Sequence, residues 1–251
     1  MRNAPPLDLS IIIPVFNEER RLPKTIERIH AYLNARPLRA EVIIVDDGSS
    51  DGTAHLVEGD RERFPWIRLL PNGRNRGKGF SVRHGMLEAR GEITLFTDAD
   101  LSTPIEEADK LLAALNEQGY DGAIGSRALD RSTIEVHESA FRELAGALFN
   151  RVVRCAAGLD FADTQCGFKA FRSGPARVLF EQQRIERFGF DPEILFLAKR
   201  HGLRVAEIPV RWSHDDASKV HVVADGSRMV WELLVMRWNA LRGCYPPVQK
   251  G

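Results

Sequence analysis

Cysteine is scarce in this 251-residue chain: Cys155, Cys166 and Cys244 are odd in number, widely spaced and never in a C-x-x-C pair. That argues against a disulfide framework or a zinc ribbon and fits a reducing compartment. Charge of one sign is also missing. Lys plus Arg and Asp plus Glu both total 35, so no global field draws the chain to nucleic acid, and none is expected as a partner. No apolar run reaches the roughly 18 residues of a membrane-spanning helix. Met1 to Pro6 leads into a strand without the apolar core of a signal peptide, so a cytoplasmic location is expected, free or peripheral on a membrane face. No repeat, low-complexity tract or linker is visible, and a 43% hydrophobic chain of this length can bury one large core.

What is there alternates. Leu9 to Phe16, Val42 to Val45, Ile67 to Leu70, Ile93 to Thr97 and Ala123 to Ser126 read as strands. Between them, Pro23 to Leu33, Gly79 to Ala89 and Pro104 to Gln118 read as helices, with Ile26, Ile29 and Leu33 on one face of the first and Leu111, Leu112 and Leu115 inward on the last. Such alternation predicts an α/β fold, a mostly parallel sheet flanked by helices in a single domain. Further on, helices are expected over Phe141 to Val153, Pro192 to Arg200 and Arg228 to Arg242, and a strand over Val205 to Trp212. Asp160 to Lys169 is a polar stretch, and Ser213 to Gly226 has no periodicity and reads as a long loop.

The chemistry sits at strand ends. Asp98-Ala99-Asp100 closes an apolar run, and on an extended chain its two carboxylates would share a side. They could hold Mg²⁺ or Mn²⁺ with positions left for a diphosphate. The other reading is capping of the helix after Thr103-Pro104; a second acidic pair, Asp46-Asp47, at another strand end favours the metal. Asp46-Asp47-Gly48-Ser49 is a strand-to-helix turn whose carboxylates could also accept hydrogen bonds from a base or ribose, and both readings stay open. Gly73 to Gly79 misses the G-x-x-x-x-G-K spacing, leaving a basic, glycine-rich turn at a helix start. Arg127, at a strand end, and Arg142 could grip an oxyanion or be ordinary surface arginines. His214, Asp215, Asp216 and His221 match no metal template.

Together, Ser10 to Glu19, the Asp46-Asp47-Gly-Ser turn and Asp98-Ala-Asp100 resemble the inverting GT-A glycosyltransferases of family 2. Asn75-Arg-Gly-Lys-Gly79, Gly125-Ser-Arg127, Asp163 to Lys169, Arg187 to Asp191 and Ser218-Lys219 narrow this to the polyprenyl-phosphate sugar transferases, with Ser102 and the run to Pro104 favouring the dolichyl-phosphate glucosyl branch over the mannosyl one. The resemblance covers roughly residues 7–220. It implies a GT-A catalytic domain over 1–226, with 227–251 as an amphipathic helix and tail. It implies a metal-dependent hexosyltransferase moving a sugar, most simply glucose from UDP-glucose, to a dolichyl- or undecaprenyl-type phosphate. Pro14, Phe16, Asn17, Glu18, Asp46 or Asp47, Lys78, Ala99, Gln165, Lys169 and Lys219 would bind substrate, with Lys219 on a loop over the donor. Asp98 and Asp100 would carry the metal, and Arg127 and Arg142 would meet the acceptor phosphate. The alternatives are a GDP-mannose-using relative, a family 2 enzyme with a hydroxyl acceptor, and a silent nucleotide-sugar binding module.

On a helical wheel, Arg228, Glu232, Asn239 and Arg242 form a narrow polar stripe, while Met229, Val230, Trp231, Leu233, Leu234, Met236, Trp238 and Leu241 cover most of the rest. Such a helix is either packed in protein or laid in a membrane surface.

Overall fold

The structure, a computed structural model, describes residues 6–130, 134–136, 151, 153–154, 157–213 and 222–246. Its sheet is built from β1 (Leu7–Val15), β2 (Ala40–Asp46), β3 (Ile67–Pro71), β4 (Gly91–Phe96), β5 (Gly122–Ser126), β7 (Lys169–Arg172) and β8 (Val205–Pro209), in the order β3-β2-β1-β4-β7-β5-β8. Every pairing is parallel except that of β7, which runs antiparallel between β4 and β5 and makes the sheet mixed. A short β6 (Ile134–Val136) pairs in parallel with β9 (Trp212–Ser213) outside the main sheet.

Helices cover both faces. On one, Ile11 and Ile13 of β1 pack with Ile26 and Ile29 of α1 (Leu22–Asn34) and with Leu111 and Leu115 of α4 (Ala108–Asn116). On the other, Ile12 faces Val82 and Met86 of α3 (Lys78–Glu88), in a cluster completed by α5 (Ser173–Gln182), α6 (Phe190–Arg200) and α7 (Val222–Leu241). The alternation of Ile11, Ile12 and Ile13 between two cores is why β1 reads as an unbroken apolar run. Helix α2 (Thr53–Asp60) lies beside β2 and β3.

Several expectations change. The strand over Val205 to Trp212 breaks after Pro209, with a last bond from the Val210 N–H to the Ser126 carbonyl at 3.2 Å, and Trp212 pairs elsewhere. The expected loop over Ser213 to Gly226 begins in β9 and ends inside α7, which runs through the 226/227 boundary; residues 214–221 lie outside the described residues. The polar stretch to Lys169 opens directly into β7; β7 and α5 had no counterpart in the sequence reading, and α2 follows the expected strand-to-helix turn, which was given no helix range. Of the helix over Phe141 to Val153, only Arg151 and Val153 are described, both helical. No helix among the described residues is long and apolar enough to cross a membrane.

Candidate active site

The carboxyl ends of β1, β2, β4 and β5 meet at one sheet edge, where open α/β sheets bind ligands. After β4 the chain does not stay extended. Leu101 donates its N–H to the Asp98 carbonyl at 3.1 Å and takes φ 49°, so Asp98-Ala99-Asp100 forms a tight turn rather than the expected extended pair. Thr25 of α1 fastens it by donating its hydroxyl to the Ala99 carbonyl at 2.5 Å. The Asp98 carboxylate rests against Gly167, where a Cβ would come within 2.2 Å of Oδ2.

Lys78, at the start of α3, sets its ammonium 2.5 Å from Asp98 Oδ1. Burial disfavours that charge, but Asp98 and Asp191 more than offset it and hold the lysine well above its usual range. Lys169, wholly buried in β7, donates to Asp191 of α6 and, at 2.6 Å, to the Cys166 carbonyl. Burial pushes the Asp191 carboxyl up, while Lys169 and Lys78 pull it back. Asp100 has less help. Burial and the negative charge of Asp98 raise its carboxyl. The Ser102 N–H bonds one oxygen at 2.9 Å, and Arg21 comes only to 4.0 Å because Glu18 holds its guanidinium through two bonds of 2.6 Å.

Asp98, Asp100 and Asp191 therefore stand against two lysines, leaving one negative charge over, concentrated at Asp100. This tests the fit of a cation. Two hard oxygen donors with surplus negative charge suit Mg²⁺ or Mn²⁺. No group of three or more metal-ligating side chains occurs among the described residues, so a substrate or water would complete the shell.

The acidic pair after β2 divides its work. Asp47 accepts from Asn72 Nδ2 (2.8 Å), the Arg76 N–H (2.9 Å) and the Gly77 N–H (2.8 Å), so it pins the glycine-rich turn. Gly77 itself has φ 109° and lies so close to the Glu186 carbonyl that a Cβ would stand 2.6 Å from it. Asp46 accepts only from Ser49, on Oδ1, and its other oxygen is open among the described residues. Beside it, Pro14 lies past the last β1–β4 pair, Asn17 (φ 56°) accepts from the Ser50 N–H at 2.8 Å, and the Phe16 ring is 39% exposed.

Arg127 is not a free guanidinium. It clamps Asp163 through Nε (2.7 Å) and Nη2 (3.0 Å), leaving Nη1 without a hydrogen bond among the described residues. Against the burial that would raise it, Arg127 holds the Asp163 carboxyl at about 2. Gln165 donates its backbone N–H to Asp163 at 3.0 Å and turns its side-chain amide to the Met229 sulfur of α7. Arg142 and Lys219 lie outside the described residues, as do His214, Asp215, Asp216 and His221. Sequence reasoning passed over Arg21, Gly167 and the pairing of Asp191. Only the spacing of Glu18 and Arg21, three apart at a helix start, carried a local signal.

Relatives are found by sequence and by fold. A chain from Trichomonas vaginalis named dolichyl-phosphate beta-glucosyltransferase ALG5D is 36% identical over 88% of this chain and 70% of its own length. The Drosophila melanogaster dolichyl-phosphate beta-glucosyltransferase is 40% identical over 88% and 71%, and the human one 35% identical over 97% and 79%. Among solved structures, mannosyl-3-phosphoglycerate synthase from Rubrobacter xylanophilus superposes with a TM-score of 0.68 at 20% identity, covering 98% of this chain and 77% of that one. Glucosyl-3-phosphoglycerate synthase from Mycobacterium tuberculosis, solved with Mn²⁺, UDP-glucose and phosphoglyceric acid, gives 0.65 at 16% identity, covering 92% and 79%. These two establish the shared GT-A fold. The sequence profile described as glycosyl transferase family 2 spans residues 10–177, from β1 through the Asp98–Asp100 turn to α5, and the chain belongs to that family.

Proposed function

We propose that the chain transfers glucose from UDP-glucose to a polyprenyl phosphate with inversion, releasing UDP and giving a lipid-phosphate-linked sugar. The names of its relatives support the sugar and the acceptor class. The observation that carries the chemistry is the commitment of four carboxylates near the reacting edge that are assigned neither to the metal nor to the nucleoside. Asp191 is paired with Lys169, Asp163 with Arg127, Glu18 with Arg21, and Asp47 with its loop. None of these is free to take a proton from a hydroxyl acceptor. A phosphate monoester, with a second pKa of about 6, arrives as an anion and needs no base.

In this reading the phosphate oxygen forms the new bond to the anomeric carbon as the bond to the nucleotide diphosphate breaks from the opposite face. The protein aligns the two and steadies the charge that leaves. A divalent cation held by Asp98 and Asp100 would supply neutralisation of the diphosphate. Lys78 adds a fixed positive charge beside Asp98. Asp46, Pro14, Phe16 and Asn17 receive the nucleoside, with Phe16 offering its face to the base. Arg127 Nη1, with Arg142 and Lys219, meets the acceptor phosphate, and Lys169, Ala99 and Gln165 hold the surrounding turns in place.

Helix α7 brings the enzyme to the lipid. Met229, Leu233 and Met236 are buried, while Trp231, Leu234, Trp238 and Leu241 are more than half exposed, so the helix both packs in protein and offers an apolar face to a membrane surface. Free thiols at Cys166 and Cys244 suit the cytoplasmic face.

Transfer of label from UDP-glucose and from GDP-mannose to a short polyprenyl phosphate, with Mg²⁺ or with EDTA, tests the reading. Metal-dependent, butanol-extractable label from UDP-glucose is expected. Label from GDP-mannose alone would replace the sugar, and binding of either donor without transfer would indicate a silent module.

A further inference from the structure

Arg228 and Glu232 of α7 form one wall of an open cavity of about 400 Å³, opposite the loops carrying Arg74–Arg76 and Glu186–Arg187. Neither Asp98, Asp100 nor Lys78 lines it. Four arginines, Arg74, Arg76, Arg187 and Arg228, face two carboxylates, Glu186 and Glu232. Arg76 is paired with Glu186 and lies over the Phe80 ring. Glu232 accepts the Gly189 N–H at 2.8 Å and stands 3.6 Å from Arg228. Arg74 and Arg187 have no side-chain hydrogen bond or ion pair among the described residues. The concavity thus carries two positive charges in excess, and its donors are guanidiniums, which match phosphate oxygens in fork geometry.

Its place on the helix says which phosphate. Arg228 and Glu232 mark the edge of α7 next to the exposed apolar strip of Trp231, Leu234, Trp238 and Leu241, which with Val235 and Arg237 lines a shallow hollow of about 500 Å³ on the helix's own outer face. An anion-receptive hollow at the end of an apolar strip fits an amphiphile whose tails follow the strip and whose headgroup enters the hollow. We propose that this cavity is a second phosphate site, which holds the headgroup of an anionic membrane phospholipid and is separate from the phosphate that is glycosylated. The proposal rests on the membrane contact assigned to α7 above. Because Glu232 in the cavity wall also binds Gly189, at the start of the helix that carries Asp191, a headgroup held there sets the catalytic edge at the membrane surface.

Flotation of the full chain with phosphatidylcholine vesicles, with and without phosphatidylglycerol, tests it. The wild type should bind both and prefer the anionic vesicles. R74Q/R187Q should lose roughly 25-fold of its anionic-vesicle affinity, about one factor of five for each arginine at the surface, and keep its binding to phosphatidylcholine. R177Q/R200Q removes the same charge from exposed positions outside both the cavity and the apolar strip and should lose far less. W231S/W238S should lose both kinds of binding. Transfer by R74Q/R187Q in detergent micelles should match the wild type, which establishes that its centre is intact. Equal losses in the two arginine variants, or no headgroup preference in the wild type, would overturn the site alone. Failure of the wild type to bind either vesicle would remove the membrane contact and the site together.

Discussion

Asp191 of α6 and Lys169 of β7 meet in the interior as an ion pair, with the lysine wholly buried and its ammonium also donating to the Cys166 carbonyl. Asp191 also feels Asp98, whose charge raises its carboxyl, while Lys169 and Lys78 pull it back. Lys169→Met leaves the Asp191 charge buried without its main partner, and urea unfolding should show a loss of about 3–5 kcal/mol. The double variant K169M/D191L should recover much of it. A single variant as stable as the wild type would show that the pair carries no such cost.

Gly167 holds Asp98 by absence. A methyl group there would stand 2.2 Å from Asp98 Oδ2 and push the carboxylate out of the turn. Gly167→Ala should lower the transfer rate on the order of 100-fold, the scale expected for a displacement of about 1 Å at a reacting centre. Thermal unfolding should move little, and full activity would remove the positioning role.

The acidic pair after β2 should separate in mutation. Asp47→Ala strips three donors of their shared acceptor, two of them backbone N–H groups of the glycine-rich turn, and should cost about 1–3 kcal/mol or more of stability. Asp46→Asn keeps the fold and should weaken UDP binding, read by calorimetry. The reverse assignment of effects would exchange their roles.

Asp163 gives a pH signature. Its carboxyl lies at about 2 in the folded chain against an ordinary 3.8, because Arg127 outweighs burial. A depressed carboxyl stabilises the fold above the unfolded value and loses that contribution as pH falls towards the folded one. Between about pH 4 and pH 2 the wild type should therefore lose about 2 kcal/mol more than Asp163→Asn. Parallel stability curves would dismiss the clamp.

The legible parts of this chain were those in which a local pattern decides the outcome. β1, β2 and β4 read correctly because strands buried on both faces are continuous apolar runs. The turn at Asp98 was not legible, because it is made by a backbone bond from Leu101 and by Thr25 of a distant helix. β7 was hidden because Lys169-Ala-Phe-Arg172 carries a cation at each end, and the buried one is acceptable only through Asp191, which is distant in sequence. The first turns of α7 were hidden by Ala224-Asp225-Gly226, which interrupts the apolar pattern without interrupting the helix. Asp163 and Asp47 read as members of motifs, yet their partners, Arg127 and the Arg76–Gly77 backbone, are set by the crossing of loops that no spacing records. For the same reason Arg127 looked like an open phosphate ligand, whereas most of its fork already holds Asp163.

The central claim is that the acceptor supplies its own anion, and offering the enzyme two matched acceptors tests it most directly. With UDP-glucose and metal, labelled glucose should pass to a polyprenyl phosphate and not to the corresponding polyprenol, whose hydroxyl would need a base that Asp191, Asp163 and Glu18 are not free to provide. Comparable transfer to the polyprenol would contradict the account and return a general base to this site.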